Sequence, residues 1–298
     1  MKRLSIIIVT YNSEKDIFDC IRSIVKYNDL PDNELEIIVV DNNSKETDTM
    51  FNMISKEFGN QIVLIRNTKN GGYGQGNNVG IKQCHAPIVM IMNPDVRLYE
   101  PVFKTVIEYL ENNKNVSIYG MKQMLTPTEK SSNSFTCTYR MNGYFGTLLT
   151  ALCTRLDIFL SSIMHFSGSC FFIRKNMFEE VGLFDESIFM YGEEDDIHYR
   201  IGKRFGYDMH YNPRLHYLHL TKDKQPNFSF EKKLIDASLD QCDKHGYSKK
   251  ETLRSRIQTY RLLLIRIKIQ QLFGRGNPAL RDILRQSCRY IKQLQSDL

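Results

Sequence analysis

Four short apolar runs, rich in β-branched residues and separated by amphipathic stretches, constrain this chain more than any other feature. Leu4 to Val9, Leu35 to Val40, Ile62 to Ile65 and Ile88 to Met92 have the length and composition of strands buried on both faces. Between them, Glu14 to Tyr27 and Gln75 to Cys84 carry helical spacing. That alternation predicts an α/β fold around a mainly parallel sheet. With 298 residues and 42% hydrophobic content, the chain can bury one large core, or a core plus an appendage.

In such sheets ligands gather beyond the carboxyl ends of the strands. The residues there are Thr10-Tyr11-Asn12-Ser13, Asp41-Asn42-Asn43-Ser44, Asn67 to Gly76 and Asn93-Pro94-Asp95. Any one of these is an ordinary turn, because Asn, Asp and Ser cap helices and make turns. Four in succession, two of them ending on a carboxylate at or just past the strand, point to a site.

Several classes are disfavoured. The seven cysteines are scattered, odd in number and never spaced C-x-x-C, which predicts neither a disulfide framework nor a zinc site and fits a reducing cytosol. No apolar stretch reaches the ~18 to 20 residues of a membrane span, and the first run lacks a signal-peptide cleavage pattern. Charge is uneven: residues 249–298 hold 12 Lys or Arg against 3 Asp or Glu, leaving 28 against 31 for residues 1–248. No groove-reading motif accompanies the basic tail, so nucleic acid is not expected.

The glycines of Asn70 to Gly80 follow the third apolar run, whereas a dinucleotide fingerprint follows the first. A loop that lets backbone approach a nucleotide or sugar is the reading they support. Asp41 is placed to accept from a ribose or base, or else to cap the following helix. Asp95, held in a Pro-containing turn, is a carboxylate of the kind that binds a hard cation, and Mg²⁺ needs only one or two of these when a diphosphate completes its sphere. The densest acidic cluster, Glu193-Glu194-Asp195-Asp196, opens a predicted helix, Glu193 to Phe205. Glu193, Asp196 and Arg200 share one face there, and Glu194 points about 100° away from Glu193. Such a cluster either complements the helix dipole or supplies a sheltered base. His216 and His219 follow a predicted strand, Tyr207 to Tyr211, and can join Asp95 on a metal. Residues 122–165 read as an insertion loop followed by a helix against the core or a partner, Cys170 to Arg174 as a strand, and the last ~70 residues as helical.

Taken in order, "IIIVTYNS", "IIVVDNNS", "NGGYGQGNNVG", "IMNPDV", "SGSCFFIRKNMFEEVGLFDESIFMYGEEDDIHYR" and "NPRLHYLHL" resemble the motifs of family 2 glycosyltransferases of the GT-A fold, most of all the bacterial rhamnosyltransferase-type members. The resemblance spans about residues 4–220. It implies a glycosyltransferase domain over 1–225, with a nucleotide-sugar half (1–120) and an acceptor and catalytic half (121–225), followed by a basic helical region, 226–298. Thr10, Asn12 and Asp41 would hold the nucleoside, Asn77 would lie near the donor, and Arg200 falls in register with a donor-site position. Asn93 and Asp95 stand at the family's Asp-x-Asp position, Asp95 binding Mg²⁺ or Mn²⁺ with His219. Glu194 would be the base, with Glu193, Asp195 and Asp196 as rivals. This sequence has Asn93 at the first Asp-x-Asp position and Glu194 at a position where the family often has Asp, one methylene shorter.

The implied activity is inverting, metal-dependent transfer of a sugar, rhamnose from dTDP-rhamnose by preference, to a lipid-linked or oligosaccharide acceptor in bacterial surface polysaccharide synthesis. UDP-hexose or UDP-N-acetylhexosamine donors, a silent nucleotide-sugar-binding scaffold and a nucleotidyltransferase are the alternatives. A cytoplasmic enzyme at the inner face of the cell membrane is expected. Residues 249–298 would touch anionic lipid there, or would instead pack on the core or on a second copy in a homodimer.

Overall fold

The computed structural model describes residues 1–131, 133–141, 143–220 and 227–298. The first half runs β1 (Leu4–Thr10), α1 (Glu14–Lys26), β2 (Leu35–Asp41), α2 (Thr47–Phe58), β3 (Ile62–Arg66), α3 (Tyr73–Gln83), β4 (Ile88–Met92), β5 (Val96–Arg97), α4 (Phe103–Asn112) and β6 (Ile118–Met124). It continues with β7 (Phe135–Cys137), α5 (Tyr144–Leu156), β8 (Met164–Phe166), β9 (Cys170–Arg174), α6 (Lys175–Glu180), α7 (Glu193–Phe205) and β10 (Met209–His219). Three helices end the chain: α8 (Phe228–His245), α9 (Lys249–Leu272) and α10 (Pro278–Ser296).

Two compact units emerge. One comprises the described residues of Met1–Thr136 and Asp157–Thr221, the other those of Cys137–Leu156 and Lys222–Leu298. The boundary expected near residue 225 lies outside the described residues.

The first unit is built on an eight-stranded sheet in the order β3-β2-β1-β4-β9-β6-β10-β5. β1 pairs in parallel with β2 and β4, β2 with β3, and β6 with β10; β9 lies antiparallel to β4 and β6, and β5 antiparallel to β10. The sheet is therefore mostly parallel, as the apolar runs predict. The central strands β1, β2 and β4 are nearly continuous apolar runs because both of their faces are covered. On one side α1 seats Ile17, Cys20, Ile21 and Ile24, spaced three and four apart, with α4 adding Phe103, Val106, Ile107 and Leu110 to the same core. On the other side α3 lies so close that a Cβ on Gly76 would meet Val9 Cγ1 at 2.7 Å. From β1 the chain moves outward to β2 and β3, then crosses back so that β4 takes the opposite flank of β1. That reversal opens a crevice beyond Thr10 and Met92.

Two expectations need correction. The glycine loop is shorter than expected, because the helix predicted from Gln75 already starts at Tyr73: Gly74 joins Gly76 and Gly80 inside α3, where their lack of a side chain permits close packing. The strand expected to end at Tyr211 runs on to His219, so His216 and His219 sit within it. Asn212-Pro213 reads as a break because proline cannot donate to a ladder. Instead the register with β6 shifts between Asn212 and His216, and pairing resumes at His216 opposite Lys122.

In the second unit, Ile235 of α8, Leu253, Ile257, Tyr260 and Ile267 of α9, and Leu284 and Ile291 of α10 form the core. Each of these helices has a side-chain cap. Asn227, Ser248 and Asn277 accept from the backbone N–H of Phe230, Glu251 and Leu280 at 2.8, 3.3 and 3.0 Å.

Candidate active site

The end of β2 is a turn tied by one carboxylate. Asp41 is fully buried and accepts from Thr10 Oγ1 (2.9 Å), Ser44 N (2.9 Å), Ser44 Oγ (2.5 Å) and Thr47 Oγ1 (2.5 Å). It thus ties together the turn between β2 and α2, a helix whose own N-terminus has no side-chain cap, and Thr10 is buried as one of its donors. Asn12, by contrast, is exposed in a left-handed conformation (φ 51°), with its N–H on Ser44 Oγ at 2.8 Å and its Oδ1 accepting from Lys45 N at 3.2 Å.

The glycine segment enters α3 under tight constraint. Gly72 has φ 92°, and a side chain there would collide with the Phe189 carbonyl, which accepts from Tyr73 N at 3.1 Å. Asn77 is buried; its Nδ2 donates to Tyr73 O at 2.9 Å, while its Oδ1 has no hydrogen-bond partner among the described residues.

The short turn Ser167-Gly168-Ser169, just before β9, gathers the remaining parts. Tyr73 Oη donates to Gly168 O at 2.5 Å, and Asn93 N donates to Ser169 O at 2.8 Å. The carboxylate of Glu194 lies directly over the Gly168 Cα, so that a methyl group at Gly168 would overlap it. Burial first, then the negative charges of Glu194 and Glu193, push the Tyr73 phenol well above its usual range, so it remains a donor. Beyond Asn93, the antiparallel register of β5 on β10 sets Val96 opposite His219 and brings His219 Nε2 to 3.3 Å from Asp95 Oδ1. His216 is engaged elsewhere, its Nδ1 2.8 Å from Glu100 Oε1.

The first turn of α7 sorts its four acids by environment. Asp196 is buried and bound by Arg200 through Nε (2.8 Å) and Nη2 (2.6 Å). Arg200 also donates to Val181 O (2.5 Å) and Leu183 O (2.6 Å), which fastens α7 to the segment after α6. Asp195 is buried as well, and Glu193 is 2% exposed with no hydrogen-bond partner for its Oε1 among the described residues. Burial, then the adjacent Glu194 charge, push the Glu193 carboxyl up to about 8. Glu194 alone of the four is half-exposed. It also lines a small crevice with Ile118, Phe166, Phe171, Ile197 and His198.

Asn93, Asp95, His219 and Glu194 are thus joined through one turn and one strand pairing. Gly168 and Tyr73, which complete that arrangement, lie inside the quoted motifs but receive no role from sequence reasoning. Asp95 offers one hard oxygen of the kind that Mg²⁺ or Mn²⁺ takes, while the imidazole of His219 is a donor more usual on softer divalent ions. Among the described residues no group of three or more His, Cys, Asp or Glu could hold a metal ion. A cation bound there would rely on further oxygens from a diphosphate.

The profile described as Glycosyl transferase family 2 matches residues 5–182, which takes in β1 through α6 and the turn at Gly168. The chain belongs to this family. It is 30% identical over 204 residues to the low-salt glycan biosynthesis hexosyltransferase Agl10 of Haloferax volcanii, a match covering 66% of this chain and 61% of the relative. A second relative, the poly(ribitol-phosphate) β-N-acetylglucosaminyltransferase TarS of Staphylococcus aureus, is 32% identical over 126 residues, 41% of this chain and 21% of its own. The chain therefore spans only part of the length of these relatives. Among solved structures, the mannosyltransferase PcManGT from Pyrobaculum calidifontis, in complex with GDP-Man and Mn²⁺, superposes with a TM-score of 0.56 at 16% identity over 97% of this chain and 69% of that one. TarS residues 1–349 with UDP gives 0.54 at 15% identity over 98% and 92%. These likenesses confirm the GT-A fold of family 2.

Proposed function

We propose that the protein is an inverting glycosyltransferase that moves a sugar from a nucleotide-diphosphate donor to a hydroxyl of a glycan or lipid-linked acceptor. The observation that carries the reading is the placement of Glu194, the half-exposed carboxylate of its cluster, over the turn that also holds Asn93 and Tyr73. In one displacement, the acceptor hydroxyl gives its proton to Glu194 as its oxygen bonds to the anomeric carbon. The bond from that carbon to the diphosphate breaks, its electron pair leaves with the nucleoside diphosphate, and the anomeric configuration inverts. Glu193, held protonated, leaves Glu194 to carry the charge. Thr10, Asn12 and Asp41 shape the nucleoside end and Asn77 the sugar end, within the half formed by residues 1–120; residues beyond 121 present the acceptor. Mg²⁺ or Mn²⁺ on Asp95 and His219 would offset the charge of the departing diphosphate.

The motifs favour dTDP-rhamnose as donor; the names of the relatives favour a UDP-linked hexose or N-acetylhexosamine. Nucleoside diphosphate release from a panel of both, with a membrane extract as acceptor source, tests the reading and identifies the donor. Donor binding without release across the panel would overturn transfer in favour of a silent nucleotide-sugar scaffold.

Two variants probe the same arrangement. Asp95→Ala should weaken donor binding at least ~tenfold when Mn²⁺ is present and little when it is chelated, measured by titration calorimetry. An equal loss in both conditions would remove Asp95 from the cation site. Gly168→Ala, which displaces the Glu194 carboxylate, should lower kcat about tenfold with donor KM unchanged, because a misplaced base costs rate rather than binding.

A further inference from the structure

Helix α5 is turned the wrong way round for a soluble helix. Phe145, Leu148, Leu152 and Leu156, spaced three and four apart, form one face and are 66%, 60%, 54% and 55% exposed. Tyr144 lies beside them and is also exposed. The small residues Gly146, Cys153 and Thr154 are the buried ones. On that inner side Thr147 Oγ1 lies 3.0 Å from Thr259 Oγ1 of α9, and Gly143 N donates to the same hydroxyl at 3.2 Å. The helix thus packs its small and polar side inward and presents a row of large apolar side chains to the outside. A contiguous apolar face of this kind on a soluble unit marks a docking surface.

The far end of α9 repeats the pattern with charge added. Ile265, Ile269, Leu272 and Phe273 are exposed, the last two at 83% and 74%. Arg261, Arg266, Lys268 and Arg275, also exposed, alternate with them. Among the described residues no ion pair involves Arg266, Lys268 or Arg275. α5 contains no Asp or Glu, and α9 contains one, Glu251, in its first turn.

We propose that the apolar face of α5 and the basic, apolar end of α9 form a docking surface for an anionic lipid bilayer. Charge decides the occupant. A second copy of this chain would bring the same uncompensated arginines and lysines against themselves. An anionic leaflet offers apolar depth and negative headgroups together, which is what this combination fits. Among the described residues no helix is long and apolar enough to cross a membrane, so the contact is one that lies on the surface. It is independent of the transfer reading, because lipid binding is measured without turnover.

The test is co-sedimentation of the full chain with vesicles of phosphatidylcholine alone or mixed with phosphatidylglycerol. Wild type should bind the mixed vesicles at least ~tenfold more tightly, and added salt should weaken that binding. Leu148→Ser with Leu152→Ser should lower it at least ~tenfold at every salt concentration. Arg266→Gln with Lys268→Gln and Arg275→Gln should lower it only at low salt. These side chains are exposed, so an unchanged Tm is expected and serves as the folding control. Absence of wild-type binding to mixed vesicles at low salt would overturn the proposal. So would undiminished binding by the leucine variant, or light scattering showing a wild-type dimer that this variant splits while lipid binding is unaltered.

Discussion

Glu194→Gln is expected to lower sugar transfer by roughly 10²- to 10⁴-fold while nucleotide binding stays within a few-fold of wild type. Glutamine keeps the length of the side chain and its packing over Gly168, so the turn that positions Tyr73 and Asn93 is undisturbed. What it loses is the ability to take the acceptor proton. The neighbours are poor substitutes. Asp196 is buried against Arg200, Asp195 is buried, and Glu193 is buried and protonated near neutral pH. Initial rates of nucleoside diphosphate release, with donor affinity measured separately, check the split between kcat and binding. Transfer at the wild-type rate would move the base elsewhere in the cluster. Loss of binding together with rate would instead make Glu194 a donor-site residue.

Much of this arrangement is legible in the sequence, and the reasons are local. Strands buried on both faces must be apolar throughout, so β1, β2 and β4 announce themselves, and the polar residues closing them mark the rim of the crevice. α7 is equally plain, because its acids crowd the first turn and Gly206 stops it. Glu194 was reachable as the candidate base on motif grounds. Its exposure relative to Glu193 and Asp196 was not, because that depends on what packs over each side of the turn.

The parts that escaped are non-local or conformationally ambiguous. Ser167-Gly168-Ser169 opens one of the quoted motifs but carries no role legible in sequence. Its meaning comes from Tyr73, 95 residues away, and from Asn93 and Glu194, none of which is adjacent in sequence. Pro213 signals a break, yet a shift in register lets β10 continue and carry His219 to Asp95. The place of Arg200 in the motif does not reveal that its guanidinium also ties Asp196 to the Val181 and Leu183 carbonyls, two contacts set by how α7 packs on the segment after α6. In α5 the apolar residues that composition would bury face outward, an inversion that periodicity cannot reveal because it gives the stripe and not the side it faces.

The Glu193→Gln variant should separate stability from catalysis. In the folded chain Glu193 holds its proton up to about pH 8, whereas its ordinary value is 4.5. Between these limits the native state binds more protons than the unfolded state, so this group's contribution is fully present below 4.5 and is lost as pH rises through 8. His198 acts in the opposite sense. Burial, then the nearby His165, push it down to about 4 from 6.5, so its contribution is present above 6.5 and is lost as pH falls through 4. Wild type should accordingly be most stable in mildly acidic solution and weaken on both sides. Glutamine cannot ionise, so Glu193→Gln should flatten the alkaline limb alone and exceed wild-type stability at pH 8 by on the order of 4 kcal/mol. Calorimetric unfolding across pH 5 to 9 checks this, and an unchanged alkaline limb would mean that Glu193 is ionised in the fold. The variant should also retain transfer, because a carboxyl that is already protonated cannot be the base. If transfer were lost in Glu193→Gln and kept in Glu194→Gln, the two residues would exchange roles.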